Sequence, residues 1–250
     1  MGMSVVRRGA VLPLLISVVC GALLARMAFR DGRVLLPMAV VMAAAVVPML
    51  LARRRMRLMF LSGDVNRVLG AWRRSIEQVM YPETMAPLMV ATAYASYGWT
   101  EAARTALGRA KKGAAWDAAI EQRLFVEALL DTFEGDAGAA LAKTEVLTAL
   151  PMPRAGFFAR RRVAKVRTGL AAMVRAFQHI ARQGDLAALR EAADVSPLVH
   201  WPMTYAAAII AVDEGRARDA ESLVDAAPEW PNESVFRSFD GELRARLPAS

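Results

Sequence analysis

Residues able to do chemistry are sparse in this chain, and the densest group of them is basic. Arg154, Arg160, Arg161, Arg162, Lys165, Arg167, Arg175 and Arg182 stand between Pro153 and Gln183, and no acid occurs anywhere between Glu145 and Asp185. Phe157 and Phe158 precede the charge cluster, while Val163, Val166, Leu170, Met173, Val174 and Phe177 recur at helical spacing along it. Such a segment reads as a basic amphipathic helix. Its Arg160, Arg161, Arg162, Lys165 and Arg167 are candidates for contact with anionic lipid headgroups or an acidic partner, each contributing about 1 kcal/mol at an anionic leaflet. The same spacing also suits a core-facing helix whose basic outer face is solvated and pairs with the acids after Asp185. Nucleic acid is a poor fit, because no aromatic platform is interleaved with the charges.

Other reactive residue types form no set. His179 and His200 are the only histidines and fall on different predicted helices, with no HExxH spacing and no cysteine partner. The single cysteine, Cys20, sits in an apolar run, which excludes an intrachain disulfide and a thiolate nucleophile alike. No GxSxG elbow, no GxxxxGK[ST] loop and no GxGxxG turn occurs. Glu121, Glu127, Asp131 and Glu134 read as the wet face of a helix. These residues predict a protein that is not an enzyme, with no catalytic set, no cofactor and no metal.

The elements that must position the basic segment begin with the apolar excess. Hydrophobic residues make up 56% of the 250, against roughly 45–50% in an ordinary soluble domain. The excess is concentrated in two runs, Gly9–Phe29 and Val34–Ala52, joined by Arg30–Arg33. Each is close to the ~20 residues that span a hydrocarbon core. They predict a membrane anchor over residues 1–57 with two transmembrane helices, about 9–29 and 34–52. Arg7 and Arg8 precede the first run; Arg53, Arg54, Arg55 and Arg57 follow the second. Positive-inside reasoning then places both termini in the cytoplasm. Cleavage of the first run as a signal is the main competitor and leaves the rest on the same side. Arginine outnumbers lysine 28 to 4, a codon bias that points to a bacterium and so to a bacterial inner membrane.

Net charge is polarised: +8 over residues 1–57, −2 over 58–153, +8 over 154–184 and −6 over 185–250. A single basic segment beside an acidic tail differs from the basic face of a nucleic-acid binder.

Residues 58–250 show helical periodicity and almost no strand-like alternation, so the expected class is all-α. Breaks recur at Gly98, Lys112–Gly113, Gly135, Pro151–Pro153, Gly184, Ser196–Pro197, Gly215 and Pro228. The segment "LMVATAYASYGWTEAARTALGRA" overlays "YAAAIIAVDEGRARDAESLVDAA" without a gap. Gly98 meets Gly215, and Ala103 meets Ala220. Gly135 and Ala140 fall in the same columns, and Gly184 does so with Leu189 at the small-residue position. Glycine at a helix C-terminus adopts a conformation that other residues resist, and a small residue five positions on lets the two helices approach.

On these positions the chain resembles the tetratricopeptide-repeat family, over roughly residues 84–228. Irregular spacing and the lack of a repeated aromatic column make it a degenerate member of that class or a generic α-solenoid. The resemblance implies stacked helical hairpins whose grooves bind a peptide or helix of a partner protein. The resulting expectation is a transmembrane hairpin followed by a repeat domain, acting as a scaffold for an unidentified protein. An accessory subunit of a membrane enzyme or transporter, or a membrane-surface sensor using helix 154–182, are the alternatives.

Overall fold

A computed structural model of the chain describes residues 35–246. It divides into two compact units, Met1–Met56 and Arg57–Ser250. The first apolar run, Cys20 and the Arg30–Arg33 turn lie outside the described residues.

Helix α1, Leu35–Leu61, takes in the second apolar run after Val34 and continues through the arginine cluster. Among the described residues no helix is long and apolar enough to cross a membrane. Side chains along α1 are described without a gap only from Val46, and that part includes Arg53, Arg54, Arg55 and Arg57.

The second unit is built from helices alone. After α1 come α2 (Val65–Glu77), α3 (Pro82–Ser96), α4 (Thr100–Gly108), α5 (Ala114–Ala118), α6 (Ile120–Glu134) and α7 (Ala137–Ala149). Then follow α8 (Phe157–Phe177), α9 (Asp185–Val195), a 3-10 turn (Pro197–Val199), α10 (His200–Asp213), α11 (Ala217–Val224) and α12 (Val235–Arg246). Among the described residues there is no strand, so the chain is all-α. Asp64 caps α2, accepting from the N–H groups of Asn66 and Arg67. Ser62 donates back to the Met59 carbonyl.

Four hairpins make the body. α3 packs on α4, α6 on α7, α8 on α9 and α10 on α11, and the first helices touch in series, α3 to α6 to α8 to α10. This order is compatible with an α-solenoid. Each first helix ends in the same way. A residue with positive φ follows it, and the next N–H reaches back to a carbonyl in the last turn. Trp99 donates to Tyr94, Asp136 to Asp131, Ile180 to Arg175 and Arg216 to Ala211. The positive-φ residues are Gly98, Gly135, His179 and Gly215.

The third hairpin thus departs from the alignment. Gly184 is not its turn residue; it is the N-cap of α9, and His179 at φ 57° takes the glycine's place. The connection is correspondingly longer, seven residues (178–184), since α8 ends at Phe177 and α9 begins at Asp185. Ala103, Ala140, Leu189 and Ala220 have no exposed surface. In the third hairpin the tight approach comes instead from Gly169, where a Cβ would lie 2.3 Å from that of Ala192.

Helix α12 packs on α10 and α11 and also reaches the first three hairpins. Val235 donates its N–H to the Gly98 carbonyl at 2.9 Å, and Ser234 Oγ donates to the Tyr97 carbonyl at 2.7 Å. Gly98 sits so close that a Cβ there would meet Ser234 Oγ at 2.8 Å and Phe236 Cδ2 at 3.2 Å. Phe236 stacks on Tyr205 and meets Phe133 edge-on, while Phe239 lies 5.1 Å from Phe177. The C-terminal helix is therefore seated across the C-terminal ends of α3, α6 and α8 and against Tyr205 of α10.

Candidate functional site

At the opposite ends of those helices lies a cleft of about 460 Å³. Met85 near the start of α3, Phe125 on α6, Leu147 on α7, Val163 and Val166 on α8, and Leu198 and Val199 before α10 form its apolar walls. Glu121, Gln122, Arg162 and Arg167 supply the polar groups. Arg167 is only 4% exposed. Its Nε donates to Glu121 Oε1 at 3.0 Å, and its Nη1 donates to the Leu150 carbonyl at 2.7 Å. A buried guanidinium needs such partners, and here they tie α8 to α6 and to the end of α7. Gln122 donates to Thr92 Oγ1 at 3.2 Å.

The basic candidates are thereby separated. Arg167 leaves the set available to lipid or to an acidic partner, because its charge is spent inside the fold. Lys165 pairs with Glu191 at 3.0 Å and is mostly covered. Arg160, Arg161 and Arg162 are exposed, as are Phe157, Phe158 and Ala159 before them, and of these six residues of α8 Arg162 borders the cleft. Further along, Arg175 makes a two-pronged pair with Asp185 at 2.9 and 2.5 Å. Of the repeat-turn positions, Gly98, Gly135 and Gly215 lie at hairpin turns, Ala103, Ala140 and Ala220 lie against first helices, and Gly184 is displaced as described.

The two histidines are apart. His179 Nδ1 lies 2.8 Å from Asp213 Oδ2, linking the third turn to the end of α10. His200 sits edge-on to Trp201, 4.9 Å between ring centres. Burial pushes the His200 imidazole below its usual 6.5, and the charge of Arg57 adds to this against a smaller opposing pull from Asp194. An unfolded chain takes up this proton near pH 6.5, while the folded chain takes it up only at lower pH. Unfolding is therefore favoured as pH falls through that window. Melting temperature should fall between about pH 7.5 and about pH 5.5, and His200→Gln should flatten the fall. An unchanged slope in that variant would remove His200 as the cause. Asp185 acts lower down. Burial alone would raise its carboxyl, but the hydrogen bonds from Arg175 and the Arg182 N–H, with both charges, hold it below 3.8. Its contribution is intact above that pH and is lost only as pH falls below it.

Among the described residues no group of three His, Cys, Asp or Glu side chains lies where it could hold a metal ion. The cleft gathers apolar surface around one internally paired carboxylate and guanidinium. That arrangement suits shape-based binding of an apolar segment, with Arg162 at the rim for an acidic one. No protein-family model matches the chain, no curated protein matches it, and no solved structure matches it.

Proposed function

We propose that this chain is a membrane-tethered, non-catalytic scaffold whose hairpin body holds a segment of a partner protein in the cleft between α3, α6, α8 and the turn before α10. The runs Gly9–Phe29 and Val34–Ala52 form the anchor, and the arginines at Arg53–Arg57 keep both termini in the cytoplasm. The single observation that carries the reading is the division between the two ends of the hairpins. One end is closed by the chain's own α12, while the other holds an apolar depression large enough for two or three side chains of a docked segment. Tethering raises the effective concentration of any partner already at the membrane.

Full-length protein purified in detergent tests this. Wild type should capture a defined partner, and Val163→Glu, which places a charge on the cleft wall, should lose it by about tenfold or more in affinity. Equal capture by both proteins, or appearance of the chain in the supernatant after membranes are pelleted, would overturn the proposal. Recovery of other integral proteins alone would favour the accessory-subunit alternative.

A further inference from the structure

We infer that the tip of α8 docks on an anionic lipid surface, with Phe157 and Phe158 entering the headgroup layer and Arg160, Arg161 and Arg162 facing its phosphates. This deepens the tethered-scaffold reading and rests on it for delivery of the tip to a bilayer.

Three observations converge. First, Phe157 and Phe158 are 71% and 84% exposed, and their rings meet each other edge-on at 5.6 Å with no other aromatic partner among the described residues. Two adjacent phenylalanines facing water forgo favourable burial, and a headgroup layer supplies an apolar refuge beside a polar one. Second, the basic residues of α8 divide by position. Lys165, Arg167 and Arg175 each meet a carboxylate of the body, on Glu191, Glu121 and Asp185. Arg160, Arg161 and Arg162 have none within ion-pair distance among the described residues. They crowd the first turns of a helix whose cap, Gly156, offers no side-chain acceptor. Cations near a helix N-terminus oppose the helix dipole, so the arrangement is unfavourable in water and is relieved by an anionic surface.

Third, the tip lies on the side of the unit where the unit's own first residue, Arg57, packs. Arg57 lies 3.6 Å from Asp194, two residues before Ser196, and Ser196 and Arg162 line the same cleft. Four arginines in five residues, Arg53–Arg57, already mark that part of the chain for an anionic leaflet. A protein surface could also cover two phenylalanines. The run of arginines without an acid favours the phosphate-rich bilayer.

The test uses the full chain carrying Cys20→Ala and Ala159→Cys, the latter labelled with a small fluorophore. It is reconstituted into vesicles of phosphatidylcholine alone or with about one third phosphatidylglycerol. In the anionic vesicles, nitroxide on the lipid headgroups should quench the label and aqueous iodide should reach it less than in neutral ones. Phe157→Ser/Phe158→Ser and Arg160→Glu/Arg161→Glu/Arg162→Glu should each abolish the difference. Three basic contacts favour the surface by on the order of a hundredfold. Equal iodide access in both lipids overturns the inference. So does a label shielded from iodide yet untouched by lipid nitroxide, which would mean that protein covers the tip. The comparison of the two lipids needs no variant that could misfold. A carbonate wash of the same vesicles reads the anchor separately. Retention without lipid quenching sinks the tip alone, and release with lipid quenching intact sinks the tether alone.

Discussion

Phe236→Ala is expected to cost about 3–5 kcal/mol of unfolding free energy, the range for emptying a large buried aromatic site. Phe236 has no exposed surface. Its ring lies 4.9 Å from Trp230, 5.0 Å from Tyr205 and 5.4 Å from Phe133, and such pairs add roughly 0.5–1.5 kcal/mol each beyond their buried area. The backbone around it is fixed from both sides. Ser234 and Val235 bind the carbonyls of Tyr97 and Gly98, and Trp230 Nε1 donates to Tyr205 Oη at 2.6 Å. A cavity at this point cannot be closed by a small shift of α12, because α12 is held at the first hairpin and the fourth at once. Phe239→Ala should cost less, since that ring is only partly buried. Urea unfolding of the detergent-solubilised chain measures both. A loss below about 1 kcal/mol for Phe236→Ala would mean that α12 is an appendage and not part of the core.

Why that role was hidden from the sequence is instructive. Phe236, Phe239 and Leu243 are spaced for one helical face, so an amphipathic helix there is legible. Its seat is not. The aromatic rings that receive it come from positions 133, 177 and 205, each the end or middle of a different helix, and no local pattern joins them. The hairpins were easier to read, because Gly98, Gly135 and Gly215 sit where φ must be positive and each is followed at once by a new helix. The third turn escaped because an imidazole adopts the left-handed conformation there, one of the few non-glycine side chains that tolerates it. The alignment then fell on the nearest glycine, five residues late.

In the basic helix, spacing carried more information than composition. Val163, Arg167, Leu170 and Val174 recur at three- and four-residue steps, so Arg167 lies in the apolar stripe and not on the wet face. Its burial against Glu121 follows from that register. Arg160, Arg161 and Arg162 precede the stripe, and no carboxylate among the described residues pairs with them. Exposed and buried basic side chains thus fall on successive turns of one helix. The acids that its later residues meet, Glu121, Asp185 and Glu191, lie outside the basic segment in the chain, so three of its eight charges find a partner in the fold.

The buried carboxylate of Asp131 offers the sharpest test of how the first two hairpins hold together. Asp131 is 4% exposed on α6. It accepts from Arg104 Nη2 of α4 at 2.8 Å and from Lys143 Nζ of α7, so one side chain joins three helices. Either cation alone leaves it paired, and Arg104 is itself shared with Glu134 at 2.5 Å. Arg104→Ala or Lys143→Ala should therefore cost about 1–2 kcal/mol singly, as for a charged hydrogen bond lost at a partly wet site. The double variant strands a buried charge and should cost about 3–5 kcal/mol, at or beyond the sum of the singles. Adding Asp131→Asn to the double variant should recover part of that loss, because a neutral amide is far less costly to bury than an unpaired carboxylate. Denaturant melts of the four proteins decide it. No recovery on adding the amide would show that Arg104 and Lys143 hold their helices by the packing of their stems, and that the charge on Asp131 contributes little.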